Sequence, residues 1–163
     1  MTHAIFFNGP IGAGKTTLGR AVAARIDAVF LDGDDCADHG KPWFATSLTT
    51  SNRIASAALE VLRERRPVVV AYPLRCTNYL YYHRRMSDAG HRSIFVTLRA
   101  SAASILAPDR GRQFDAGERE RIIEMISQGY ADRSFSDLTI ETAVASVDRT
   151  VDVIVERLAP LLR

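Results

Sequence analysis

Eight residues near the start of the chain, Gly9-Pro10-Ile11-Gly12-Ala13-Gly14-Lys15-Thr16, keep the spacing G-x-x-x-x-G-K-T. Each fixed position has a use in holding a phosphate chain. Glycines let the backbone curl until successive N–H groups converge on phosphate oxygens. A lysine brings a point charge to the outer phosphates, and the hydroxyl of the next threonine can ligate Mg²⁺. Thr17 continues into a helical stretch whose N-terminal dipole end adds positive potential. An apolar run, Ala4-Ile5-Phe6-Phe7-Asn8, comes just before the loop, so the motif stands in the strand–loop–helix context it needs. Residues 9–17 are therefore expected to hold a nucleoside triphosphate, with Thr16 on the metal.

A second constellation is Leu31-Asp32-Gly33-Asp34-Asp35. Phosphoryl transfer asks a protein mainly for placement and charge neutralisation. One carboxylate near Mg²⁺ and one accepting the proton of an incoming hydroxyl would meet that need. Asp32 is assigned to the metal side and Asp34 to the acceptor side. The competing reading is that acidic residues decorate an Asp-Gly turn. A third segment, Ala107-Pro108-Asp109-Arg110-Gly111-Arg112-Gln113-Phe114-Asp115, is turn-rich and carries two arginines. It suits a mobile lid over about 108–117. Arg110, and after it Arg112, would neutralise charge on the transferred group while closure excludes water. In a chain this rich in arginine, a solvated loop is the alternative.

Arg53, Arg75 and Arg133 each read two ways, as grips for an anionic acceptor or as solvated side chains. Trp43 reads as an acceptor-pocket wall or as a packing residue. Tyr79, Tyr81 and Tyr82 are expected to pack a helix onto the sheet.

These residues need elements to position them. Apolar runs and helical patterns alternate, which predicts an α/β fold with a parallel sheet covered by helices. Strands are expected at 4–8, 28–31, 67–71, 93–98 and 138–141. Helices are expected over 15–26, 47–65, 77–88, 100–107, 118–128 and 147–162, with a polar, turn-rich stretch over 33–46. Such a sheet gathers ligands at the carboxyl ends of its strands. The phosphate loop, Asp32 and Asp34, and the segment Tyr72 to Arg75 all fall there.

Composition narrows the partners. At 163 residues and 47% hydrophobic, residues 1–163 are expected to form a single domain. A formal charge of +2 gives no support to nucleic-acid binding. No signal peptide and no apolar run of membrane-spanning length are evident, so a cytoplasmic protein is expected, with no membrane partner. Two cysteines and four unpatterned histidines offer neither a disulfide framework nor a metal site. A monomer or a loose dimer would be ordinary at this size.

The segment Gly9 to Arg20 resembles the opening of the shikimate kinases. Leu31-Asp32-Gly33-Asp34-Asp35 and Val69-Val70-Ala71-Tyr72-Pro73-Leu74-Arg75 look more like gluconate kinases, and Ser136 to Thr142 is similar to the shikimate-kinase strand before its adenine-contacting loop. The resemblance, to small P-loop kinases related to the nucleoside monophosphate kinases, implies a three-layer fold. Its five-stranded parallel sheet would run in the order 2-3-1-4-5, with ATP, Mg²⁺ and a short lid. It implies that Lys15, Asp34 and Arg110 are catalytic, that Arg53 grips an acceptor carboxylate, and that Thr142 and Ala143 border the adenine. Two departures stand out. Tyr72-Pro73-Leu74 replaces the glycine triplet of shikimate kinases, which argues against shikimate. Cys36-Ala37-Asp38-His39-Gly40-Lys41-Pro42-Trp43 is shorter than the matching gluconate-kinase segment.

The leading expectation is an ATP-dependent kinase acting on a hydroxyl of a small metabolite. A nucleoside or nucleotide kinase is the alternative among enzymes. A nucleotide-binding regulatory module without transfer activity would keep Lys15 and Thr16 and need neither Asp34 nor the lid arginines.

Overall fold

Alternation along the apolar strands decides the layers. In β1 (His3–Asn8), Ile5 and Phe7 belong to one hydrophobic cluster, while Ala4 and Phe6 belong to a second on the opposite face. A strand buried on both faces must lie in the middle of a sheet covered by helices. The computed structural model, which describes residues 2–109 and 111–163, shows that arrangement. Arg110 and the side chain of Trp43 lie outside the described part.

Five strands pair in parallel in the order β2-β3-β1-β4-β5. They are β1, β2 (Val29–Asp32), β3 (Val68–Ala71), β4 (Arg92–Arg99) and β5 (Leu138–Glu141). Side chains of α1 (Lys15–Arg25) and α6 (Val147–Leu158) pack in the cluster that holds Ile5 and Phe7. Those of α2 (Trp43–Arg63) and α3 (Cys76–Asp88) pack in the other. Two further helices, α4 (Ala102–Ile105) and α5 (Ala116–Ser127), follow β4 and contribute Ile105 and Ile122 to the first cluster. Among the described residues, no helix is long and apolar enough to cross a membrane.

Two helix boundaries differ from the sequence expectation by four residues, the others by at most two. Helix α2 begins at Trp43, just after Pro42 at its cap, four residues before Ser47. Proline at a helix start loses nothing, because its missing N–H would lack an intrahelical partner anyway. The stretch 33–46 also contains a 3₁₀ turn, Gly33–Cys36, capped by the Asp32 carboxylate. At the other end α6 stops at Leu158 and tightens into the 3₁₀ turn Ala159–Leu162. Pro160 has no N–H to continue the α ladder and its ring clashes with the preceding turn.

Candidate active site

The register brings the site together. Phe7 pairs with Ala71, and Ala71 pairs with Asp32, so the carboxyl ends of β1, β3 and β2 stand level. The phosphate loop leaves β1 at that level and feeds α1. Gly12 at φ +79° and Gly14 at φ +96° occupy the left-handed region that side chains avoid. Gly12 is also sterically obligatory. A Cβ there would lie 2.6 Å from Ile105 Cγ2 and 2.8 Å from Phe114 Cζ.

Lys15 lies across the loop and donates from Nζ to the carbonyls of Gly9 (2.9 Å) and Pro10 (2.8 Å). Burial lowers its pKa to about 8, against the attraction of Asp34 and Asp32; Arg112 lowers it further. Thr16 Oγ1 donates to Asp32 Oδ2 at 3.1 Å. The other oxygen of Asp32 accepts the Asp34 N–H at 3.2 Å, which orients the turn carrying Asp34. Partial loss of hydration, then the Asp32 charge, raises the Asp34 carboxyl above the ordinary range, with Lys15 and His39 opposing.

Two cavities open on this loop. One, of about 410 Å³, runs along residues 12–18 and reaches Phe114, Thr142 and Thr150. The second, of about 590 Å³, lies on the other side and includes Asp34, Tyr72, Arg75 and Tyr130. Gly12, Lys15 and Arg112 line both. Arg112 donates to Glu118 Oε1 at 2.8 Å and stands over the Phe114 ring at 4.8 Å. Glu118 also closes a capping box with Asp115, so this arginine is tied to the start of α5.

Other expected site residues lie elsewhere. Arg53 donates to the carbonyl of Cys36 at 3.3 Å and lines neither cavity. Arg133 lies outside both as well. Its guanidinium stacks on Tyr130 at 4.3 Å and donates to the carbonyl of Gln128, where it closes the end of α5. Thr142 lines the first cavity and bonds the carbonyl of Arg99, whereas Ala143 is exposed and lines neither. Tyr79 and Tyr82 stack on Phe135 and Phe6 in the core, but Tyr81 faces the second cavity.

Asn8 is a residue that sequence reasoning passed over. Fully buried, it donates to Thr97 Oγ1 (3.1 Å) and to the carbonyl of Tyr130 (3.2 Å), and accepts from Leu74 N–H (2.7 Å). One amide thus joins the phosphate-loop strand to both walls of the second cavity. An asparagine closing an apolar strand was the available signal, since a buried amide must find partners.

No family model matches the chain. Over 30 residues it is 63% identical to shikimate kinases of Burkholderia lata and Ralstonia nicotianae. That stretch is 18% of this chain and spans only 16% of the length of those relatives. Solved structures match over almost everything. A gluconokinase from Sinorhizobium meliloti has a TM-score of 0.72 at 18% identity, covering 98% of this chain and 93% of its own. An APS kinase from Mycobacterium tuberculosis in complex with AMPPNP and APS gives 0.70 at 16%, covering 97% and 98%. A shikimate kinase from Acinetobacter baumannii in complex with shikimate gives 0.64 at 21%, covering 100% and 97%. The fold is that of the small P-loop kinases. At these identities the likeness speaks for the P-loop kinase architecture and its sheet order.

Proposed function

We propose that this chain is an ATP-dependent kinase that transfers the γ-phosphoryl group to a hydroxyl of a small metabolite. One observation carries the reading: two cavities of ligand size meet at the phosphate loop and share Gly12, Lys15 and Arg112. A nucleotide seated in the first, with phosphates on residues 9–17 and its base towards Thr142, would present its terminal phosphate at the junction. An acceptor in the second would present a hydroxyl to Asp34.

The chemistry follows from placement. The acceptor oxygen forms a bond to the γ-phosphorus as the bond to the β,γ-bridging oxygen breaks, and ADP leaves. The hydroxyl proton passes to the Asp34 carboxylate. Lys15 and Arg112 face the charge spread over the transferred group. In the lid reading of residues 108–117, Arg110 would do the same. Thr16 and Asp32 are hard oxygen donors beside the loop, and two such ligands suit Mg²⁺, which keeps several waters. When bound, that ion would neutralise phosphate charge. Arg75, in the second cavity, is the arginine of the acceptor side.

A coupled ADP-release screen over sugar acids, cyclitols, nucleosides and other hydroxyl compounds tests the reading. At least one acceptor should raise ADP release well above the rate without acceptor. Asp34→Asn should then lower kcat by about 10²–10⁴-fold and leave ATP binding near its original strength. No stimulation by any acceptor, or full transfer by Asp34→Asn, would count against it.

A further inference from the structure

The wall of the second cavity sets rings and carbon among charged and polar side chains. Tyr72, Tyr81 and Tyr130 line it with Leu48, Pro73 and Met125. Many of its polar groups are already engaged. Asn78 Nδ2 donates to Ser51 Oγ at 3.0 Å, and Arg75 Nε donates to the Tyr130 hydroxyl at 3.1 Å. Tyr81 donates to Asn52 at 3.1 Å, and Arg112 to Glu118 at 2.8 Å. A polyol or sugar acid needs a directional partner for each of its oxygens and would have to take these groups from one another. A flat ring needs only faces and edges.

The ring wall begins beside the acceptor carboxylate. A Cβ on Gly33 would lie 2.5 Å from Tyr72 Cδ2, so the Tyr72 ring rests directly on the backbone that carries Asp34. Asp34 and Tyr72 line the same cavity, so a molecule with a hydroxyl on Asp34 has that ring within its site. At the mouth, Leu48 is 84% exposed, an apolar surface that a ring compound would cover. The cavity, about 590 Å³, has room for a substituted ring system.

We propose that the acceptor is a hydroxyl compound bearing an aromatic ring, held against Tyr72 and Tyr81 with its hydroxyl on Asp34. The inference rests on the kinase reading above. Selectivity then comes from stacking on the tyrosine wall.

The test compares 2-phenylethanol, tyrosol and adenosine with gluconate, shikimate and myo-inositol, by coupled ADP release and by saturation-transfer NMR on the full chain. At least one ring compound should stimulate ADP release, while the other three compounds should not. Tyr81→Leu should raise the KM of that ring acceptor roughly tenfold, with the Kd for ATP unchanged, because a stacked ring is worth about that much. Tyr81→Phe, which keeps the ring, should stay near the original KM and shows that the leucine effect is not general misfolding. Stimulation by gluconate, shikimate or inositol and not by the ring compounds would overturn the acceptor class and leave the kinase reading standing. Ring compounds that bind while none of the six compounds raises ADP release would overturn the acceptor assignment and count against the kinase reading with it. Ring compounds that give no saturation transfer would overturn the proposal outright.

Discussion

Lys15 is under opposing demands. The loop that places its ammonium against two carbonyls also removes water from it, and burial brings its pKa to about 8 from the 10.5 of a free lysine. The charged form is thus disfavoured in the folded chain. The cost to stability is full below pH 8 and vanishes as pH rises past the unfolded value near 10.5. A triphosphate reverses that preference, since its charge favours the ammonium. Binding should therefore take up a proton above pH 8. The affinity for ATP should fall roughly tenfold between pH 7 and pH 9, as read by titration calorimetry with a non-hydrolysable analogue. A flat profile would mean that Lys15 stays charged in the free chain. Asp34 is shifted the other way. In the kinase reading its raised carboxyl loses the base form as pH falls, so the acid limb of kcat/KM should lie above the ordinary range of aspartate.

At the scale of elements, the site is held by connections between segment ends. Asn8 ends β1 and ties Leu74 after β3, Thr97 in β4 and Tyr130 after α5. Asn8→Ala would leave a buried N–H and a buried carbonyl without partners, at a cost of about 3 kcal/mol. Thermal unfolding should show the loss. With the two walls of the second cavity released, acceptor KM should rise more than the Kd for ATP. A second connection is Glu118, which caps α5 and holds Arg112. The start of that helix therefore sets where the arginine stands.

For the molecule as a whole, the decisive relation is between the two cavities. Arg112 borders both, although its side chain is 61% exposed. Its ion pair with Glu118 is accordingly worth little to stability. In the kinase reading its value lies in the charge that develops at the junction. Arg112→Ala should lower kcat about 10–100-fold while changing the Kd for ATP less than threefold. Equal losses in both would make it a ground-state contact to the nucleotide.

Much of this architecture was legible in the chain because its cues are local. Glycine and lysine spacing, apolar runs and helix patterns each act within a few residues, and among the described residues they identified the phosphate loop, each strand and each α-helix, though not the 3₁₀ turn at Gly33–Cys36. Ends set by Pro42 and Pro160 were legible in principle, and the start of α2 was still read four residues late. What sequence alone left open depends on segments far apart. The level at which Asp32 meets Thr16 comes from the register of β2 on β3 and β3 on β1. Residues 34, 72, 81 and 130 share a wall only because their elements converge at the same sheet edge. The same distances turn Arg53 and Arg133 towards backbone carbonyls at Cys36 and Gln128. A sequence determines which groups can hold phosphates. Which groups face each other across a cavity is a matter of packing, and only the folded chain decides it.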